Sequence, residues 1–267
     1  DPQQRLLLER GYEALHAAAL GRAALEGSVS GVFCAIAAND FAEVLRASPA
    51  GRSVYAATGS AHTIAAGRLS YVLGLQGPCI AYDTACSAAL AAGHAALRAV
   101  QRGECAAGLL EAVSLMLLPG VGQSFAVAGM TSARGRSHAF DSRADGYARG
   151  EACGGVVLQP AAQAQGAASL LLGAAVRQDG KSASLTAPNG QAQRALLRAA
   201  LADAGVAPAA LVRLEAHGTG TKLGDPIEAG SLAGAVRPAR GEACGALAAG
   251  SVKANSGHAE PAAGLAG

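Results

Sequence analysis

The chain has 267 residues, enough for one large core or two modest ones, and at 51% hydrophobic residues it is too apolar to be disordered. Twenty-one basic against nineteen acidic residues leave a net charge of +2, which gives no electrostatic case for nucleic acid or an anionic membrane as partner. Thirty-six glycines without a Gly-X-Y period point to many tight turns and close backbone contacts.

The opening Asp1-Pro2-Gln3-Gln4-Arg5 is a helix-start signal with Pro2 at a first helical position. Residues 2–18 read as a helix with Leu8, Tyr12 and Leu15 on one face. Residues 31–36 are a short apolar run, read as a buried strand. Residues 61–72 read as a helix ending before Gly74, and 78–82 as a strand. A strong helix pattern follows over 86–102, with Leu90, Leu97 and Val100 inward and Gly103 past its end. Residues 113–118 and 155–158 read as strands, separated by a Gly-, Ser-, Asp- and Arg-rich loop over 131–152.

The pattern restarts after 160–169, the expected boundary between two halves. A strand is expected over 170–176, then a polar loop over 179–190. An amphipathic helix over 191–204 follows, with Leu197, Leu201 and Ala204 in line and Gly205 as its cap. Residues 211–215 and 246–252 complete the strands. Strands alternating with helices predict an α/β fold with a mostly parallel sheet. Neither end resembles a natural terminus, so the chain is expected to be an internal piece of a longer polypeptide.

No apolar run reaches the ~18 residues of a membrane span, and no signal peptide is evident. The six cysteines, Cys34, Cys79, Cys86, Cys105, Cys153 and Cys244, form no CxxC pair, so no metal site is expected. They read as thiols kept reduced, in the cytoplasm or an organelle lumen, and all but one as small buried hydrophobes.

Three segments carry chemistry. In Asp83-Thr84-Ala85-Cys86-Ser87 a strand ends, the chain turns, and a helix is expected to start at Cys86. The positive end of a helix favours thiolate, the nucleophilic form, although a buried structural cysteine would fit the same spacing. His217-Gly218-Thr219-Gly220-Thr221 follows a strand, where α/β folds place their sites. Its glycines allow an unusual backbone path, and Thr219 and Thr221 offer hydroxyls to a polar ligand. Lys253-Ala254-Asn255-Ser256-Gly257-His258 again sets a His after a strand, with a Lys five residues before it. One Cys and two His together suit a thioester: a nucleophile takes the acyl group and two donors hold a carbonyl.

With these motifs, and with Gly67-Arg68-Leu69-Ser70-Tyr71, Leu185-Thr186-Ala187-Pro188-Asn189-Gly190 and Gly224-Asp225-Pro226-Ile227-Glu228, the whole chain resembles a β-ketoacyl synthase. The type it is most similar to is the ketosynthase domain of a modular type I polyketide synthase, with fatty acid synthase condensing domains as near relatives. The resemblance implies a thiolase-like fold of two related α/β halves, layered α-β-α-β-α, with residues 1–160 forming the first and 161–267 the second. It also implies that the family's first strand precedes residue 1. The last strands and a Gly-Phe-Gly loop would follow residue 267, so the 267 residues expressed alone are expected to be poorly soluble and inactive.

The activity implied is decarboxylative Claisen condensation. Cys86 would accept an acyl chain from an acyl carrier protein and supply half of an oxyanion hole through its N–H. His217 and His258 would assist decarboxylation of a malonyl thioester. Thr219 and Thr221 would bind the phosphopantetheine arm, which the carrier protein brings, so the domain itself would hold no cofactor. Lys253, paired with Glu228, would tune the site, and the intact domain would be a homodimer. Both His residues argue against a non-elongating relative, and the Cys-His-His set differs from the Cys-His-Asn of initiating synthases and the Cys-His-Cys of thiolases. Four positions depart from the family pattern: Glu111-Ala112 for a usual Gly-Gly, Ala152 for a Gly, and Pro261 for a small residue. A charged Glu111 in a buried strand would need a partner or an exposed edge.

Overall fold

The computed structural model describes residues 1–164, 166–239 and 245–267; Cys244 lies outside the described residues. In chain order the elements begin α1 (Pro2–Ala17), α2 (Arg22–Leu25), β1 (Ser30–Ala35), α3 (Asp40–Arg46), α4 (Ala56–Ser60) and α5 (His62–Leu73). They continue with β2 (Cys79–Tyr82), α6 (Ala88–Gln101), β3 (Ala107–Ser114), α7 (Gly120–Val127), β4 (Ala152–Leu158) and α8 (Gly190–Ala204). The last are β5 (Arg213–Glu215), α9 (Gly224–Val236), β6 (Ala248–Gly250), α10 (Lys253–Ser256) and α11 (Ala263–Ala266). Two compact units interleave along the chain. The first comprises Asp1–Pro119, Gly150–Leu170 and Ala259–Ala266, the second Gly120–Arg149 with Leu171–His258.

The first unit is built on a sheet of order β2-β1-β3-β4, in which β1 runs parallel to β2 and β3, and β4 antiparallel to β3. Every residue of β1 and β3 is buried. Helices cover both faces, which is why β1 reads as an apolar run without alternation. Leu7 and Leu15 of α1 and Leu69 and Leu73 of α5 pack with Val32, Cys34, Leu109 and Val113 on one face. Ala88, Ala92 and Ala96 of α6 pack with Phe33, Ala35, Leu110 and Ala112 on the other. Asp1 caps α1 by accepting from the Gln3 N–H at 2.8 Å. Gln3 then ties α1 inward, donating to the Ala38 carbonyl and accepting from the Leu115 N–H. Gly74, at φ 70°, closes α5 in the left-handed conformation that favours glycine.

Several expectations for this unit need correction. The inward stripe of α1 is Gln3, Gln4, Leu7, Gly11 and Leu15, with Leu8 partly buried and Tyr12 exposed. Helix α6 begins at Ala88, two residues after Cys86. Its buried face is made mostly of Ala and Gly, which let the backbone approach the sheet; Leu97 is buried, Val100 half-buried, and Leu90 exposed beside Gly264. Strand β3 ends at Ser114 and does not continue to residue 118. The reason is competition for donors. Gln3 takes the Leu115 N–H, Glu151 that of Met116, and Asp40 those of Leu117 and Leu118. Cys34 and Cys105 are buried as expected, Cys153 is half-buried, and Cys79 on the edge strand β2 is exposed.

In the second unit β5 and β6 run parallel, with Leu214 opposite Ala249. Asn189 caps α8 by accepting from the Gln191 and Ala192 N–H groups, and Gly205 at φ 63° ends it as predicted. Ser231 of α9 donates to the Gly190 carbonyl and Arg198 of α8 to that of Gly234, tying the two helices together. Residues 171–176 form no strand: Leu171, Leu172 and Val176 are exposed, and the Ala174 N–H donates to the Asp203 carboxylate. Strands β5 and β6 are shorter than the apolar runs that announced them. No helix among the described residues is long and apolar enough to cross a membrane.

Candidate active site

Cys86 belongs to the first unit and stands between β2 and α6 in a hydrogen-bonded elbow. Ala85, immediately before it, has φ 52°, a conformation costing a non-glycine residue about 1–3 kcal/mol. The turn is held on both sides. Asp83 accepts from the Ala85 N–H, and the Ser87 hydroxyl is 2.9 Å from both the carbonyl and the hydroxyl oxygen of Thr84. Cys86 is itself half-buried, neither sealed in the core nor fully open. It precedes the helix rather than starting it, so the first turn of the 14-residue α6 lies just beyond the thiol.

The second unit gathers the remaining candidates. Strand β5 ends at Glu215, and the chain turns through His217–Thr221 before α9. Two carboxylates of α9 hold that turn. Glu228 accepts the N–H groups of His217 at 2.6 Å and Gly218 at 2.8 Å. Asp225, which is buried, accepts those of Phe140, Gly220 and Thr221 at 2.8–3.1 Å. Gly220, at φ 82°, is required as glycine, because a Cβ there would lie 2.6 Å from the His138 nitrogen. Thr219 is buried, and the Thr221 hydroxyl oxygen accepts the Gly224 N–H at 3.2 Å. Its own hydroxyl proton is left to donate elsewhere.

His258 follows α10 and is buried at 3% exposure, its N–H donating to the Ala148 carbonyl at 2.7 Å. Its ring meets that of His217 edge-to-face, with centroids 5.5 Å apart and planes at 89°. The Tyr147 ring meets the His258 ring as well, at 5.0 Å and 84°. Burial lowers the His258 pKa to about 3, aided by the neighbouring His217 and Lys253. Crowding by protein lowers that of His217 as well; Lys253 adds to the effect, and Glu228 and Asp225 oppose it. Lys253 is buried at the start of α10. The result is two imidazoles neutral at pH 7, each able to donate one N–H to a developing oxyanion without bringing a proton that must first be shed.

His217, His258, Lys253, Glu228, Thr219 and Thr221 therefore share one unit. Sequence reasoning named these residues but gave no role to Asp225 or Tyr147. An Asp in the first turn of a helix directly after a glycine-rich loop was a legible sign of backbone anchoring. Nothing in the spacing joined Tyr147 to a histidine 111 positions later.

Residues 1–164 match the family described as "Beta-ketoacyl synthase, N-terminal domain" and residues 168–267 its C-terminal counterpart; the chain belongs to the β-ketoacyl synthase family. Among curated relatives it is 44% identical over 271 residues to polyketide synthase GfsB of Streptomyces halstedii. It is 43% identical over 274 residues to the spectinabilin polyketide synthase system protein NorC of Streptomyces orinoci. A phenolphthiocerol/phthiocerol polyketide synthase of Mycobacterium tuberculosis is 44% identical over 271 residues. All of the chain is covered in each case, but it spans only 5%, 12% and 17% of these relatives' lengths. Among solved structures, the ketosynthase from module 6 of the bacillaene synthase of Bacillus subtilis superposes with TM-score 0.90 at 36% identity. It covers all of this chain and 46% of its own. An oxazolomycin ketosynthase domain from Streptomyces albus matches with the same TM-score, identity and coverages. The thiolase-like α/β fold expected from the sequence is thus the fold of this chain.

Proposed function

We propose that this chain carries the condensing activity of a polyketide synthase, with Cys86, His217 and His258 as its catalytic residues. In the first half-reaction the Cys86 sulfur attacks an acyl thioester on a carrier protein. The bond from carbonyl carbon to carrier sulfur breaks, and the carrier thiol leaves with the proton. In the second, a malonyl-type thioester on a carrier protein loses carbon dioxide as its carbon–carboxylate bond breaks. The electron pair passes into an enolate, whose oxygen accepts N–H donation from His217 and His258. The enolate carbon attacks the acyl-Cys86 carbonyl, the carbon–sulfur bond breaks, and the Cys86 thiolate is regenerated.

The observation that carries this reading is the pair of neutral imidazoles packed edge-to-face in the second unit. The strained elbow around Cys86 supports the nucleophile assignment. The buried Lys253, in a pair with Glu228, would set the charge around the two rings. Thr219 and Thr221 would bind the phosphopantetheine arm of the carrier protein. The family boundary near 164–168 supports a division into halves at about residue 160. We also propose a homodimer in a compartment that keeps thiols reduced; β2, the edge strand of its sheet among the described residues, with exposed Cys79 and Ile80, would pair with a second copy.

The test is to incubate the full-length protein with an acyl thioester and map the adduct by mass spectrometry. Acylation confined to Cys86 and lost in Cys86→Ala is expected. Labelling that survives this change, or that falls on Cys79 or Cys153, contradicts the assignment.

A further inference from the structure

An imidazole is ordinarily oriented by a hydrogen bond to its second ring nitrogen. His258 lacks that restraint at Nδ1, which is buried and without a hydrogen-bond partner among the described residues. Its ring orientation must then come from packing, and besides His217 the ring that meets it is Tyr147, only 6% exposed.

Tyr147 is unusually well fixed. Its N–H donates to the Met130 carbonyl at 3.1 Å, and its carbonyl accepts the Ser132 N–H at 2.9 Å. The preceding Gly146 donates to the Gly220 carbonyl in the His217 loop. The following Ala148 donates its N–H to the buried Ser137 hydroxyl at 3.0 Å and accepts the His258 N–H at 2.7 Å. Residues 146–148 therefore connect the loops of both histidines through backbone hydrogen bonds, and the Tyr147 ring stands against the imidazole from that same three-residue segment.

We infer that Tyr147 is a positioning residue for His258, its backbone-anchored ring holding the imidazole edge-to-face in the orientation used on the enolate. This rests on the condensing role proposed above. The ring also shields His258 from water. Among the described residues of its own unit, the titratable and charged groups around the imidazole include His217, Lys253, Tyr147 itself, and Arg149, which bridges to His258 through its backbone. Removing the aromatic face should loosen the ring and admit water, so that His258 takes up a proton at higher pH. A misplacement of about 1 Å can cost about a hundredfold in rate.

The experiment compares Tyr147→Phe, Tyr147→Leu and Tyr147→Ala in the full-length protein. Three readouts are followed: acylation of Cys86, decarboxylation of malonyl carrier protein across pH, and the rate at which diethyl pyrocarbonate modifies His258, with exposed His16 as reference. Tyr147→Phe should decarboxylate within about threefold of wild type. Tyr147→Leu, which fills the space without an aromatic face, and Tyr147→Ala should lose at least about tenfold. Their acid limb should move up toward the ordinary histidine range, His258 should be modified faster, and acylation of Cys86 should be retained. Wild-type decarboxylation with an unmoved acid limb in Leu and Ala overturns the inference. So does a loss in Phe as large as in Leu, which would place the role in the hydroxyl. Should wild type itself fail to condense, the reading above fails, while the His258 modification rates still decide the positioning.

Discussion

At the scale of single residues, the site depends on side chains that hold backbone rather than substrate. Asp225 accepts three N–H groups, and Asp225→Ala would leave the buried Gly220 N–H and the half-buried Thr221 N–H without this acceptor, at about 1–3 kcal/mol for a group that stays buried and unsatisfied. Thermal melts should show a loss of about 1–3 kcal/mol for Ala and a smaller one for Asp225→Asn, which keeps one acceptor oxygen. The histidines carry a pH signature of their own. Because His258 sits at about 3 when folded and near 6.5 when unfolded, the unfolded chain binds the extra proton between these values. Its contribution to stability is complete above pH 6.5 and is lost as pH falls toward 3. His258→Gln should therefore lose stability less steeply than wild type over that window, by on the order of 1 kcal/mol per pH unit, in melts recorded at pH 4, 5, 6 and 7.

At the scale of elements, the departure from family pattern at Glu111 has a physical resolution that the sequence did not disclose. The expectation was a partner or an exposed edge. Glu111 instead lies in the centre of β3 at 0% exposure, its carboxyl oxygens without hydrogen-bond partners among the described residues. Burial raises its pKa well above the usual carboxylate range, so it is held as the neutral acid. Gly11 of α1 makes the room, since a Cβ there would contact Glu111 Oε1. Gly11→Ala should cost about 1–3 kcal/mol, and adding Glu111→Gly should recover most of it; additivity of the two changes would contradict this coupling. Here the pH dependence has the opposite sign to that of His258. The stabilising state is complete below about pH 4.5 and is lost as pH rises, so Glu111→Gln should gain on wild type by about 1.4 kcal/mol per pH unit above that value.

The same scale shows what was legible. Caps and periodicity located α1, α5 and α8, because Asp1, Asn189, Gly74 and Gly205 act locally. Strand limits are hard to read where the deciding partner is distant in sequence. Residues 115–118 are drawn out of β3 by Gln3, Asp40 and Glu151, and no window centred on 115 contains all three. Size and period point Leu90 inward, but the small side chains of α6 face the sheet and leave the leucine exposed. The candidate site was more legible than the fold around it, because its residues sit in contiguous motifs; Tyr147 escapes such a reading because its partner lies across the unit.

At the scale of the molecule, the proposed function places its nucleophile, Cys86, in the first unit and its carbonyl donors, His217 and His258, in the second. A dimer built on the β2 edge adds a further expectation. Ile80→Lys should shift the full-length protein toward monomer in sedimentation, and an unchanged sedimentation profile would place the interface elsewhere. The proposed function is tested most directly by intact-peptide mass spectrometry of Cys86 in the full-length protein, after exposure to an acyl thioester and then to malonyl carrier protein. In wild type, acyl-Cys86 should form and then disappear as carbon dioxide and β-ketoacyl product are released. In His217→Ala and in His258→Ala, acyl-Cys86 should form and persist, with carbon dioxide release slowed by about 10²–10³-fold. Turnover of acyl-Cys86 at the wild-type rate in either variant, or failure of Cys86 to acylate in wild type, would contradict the account.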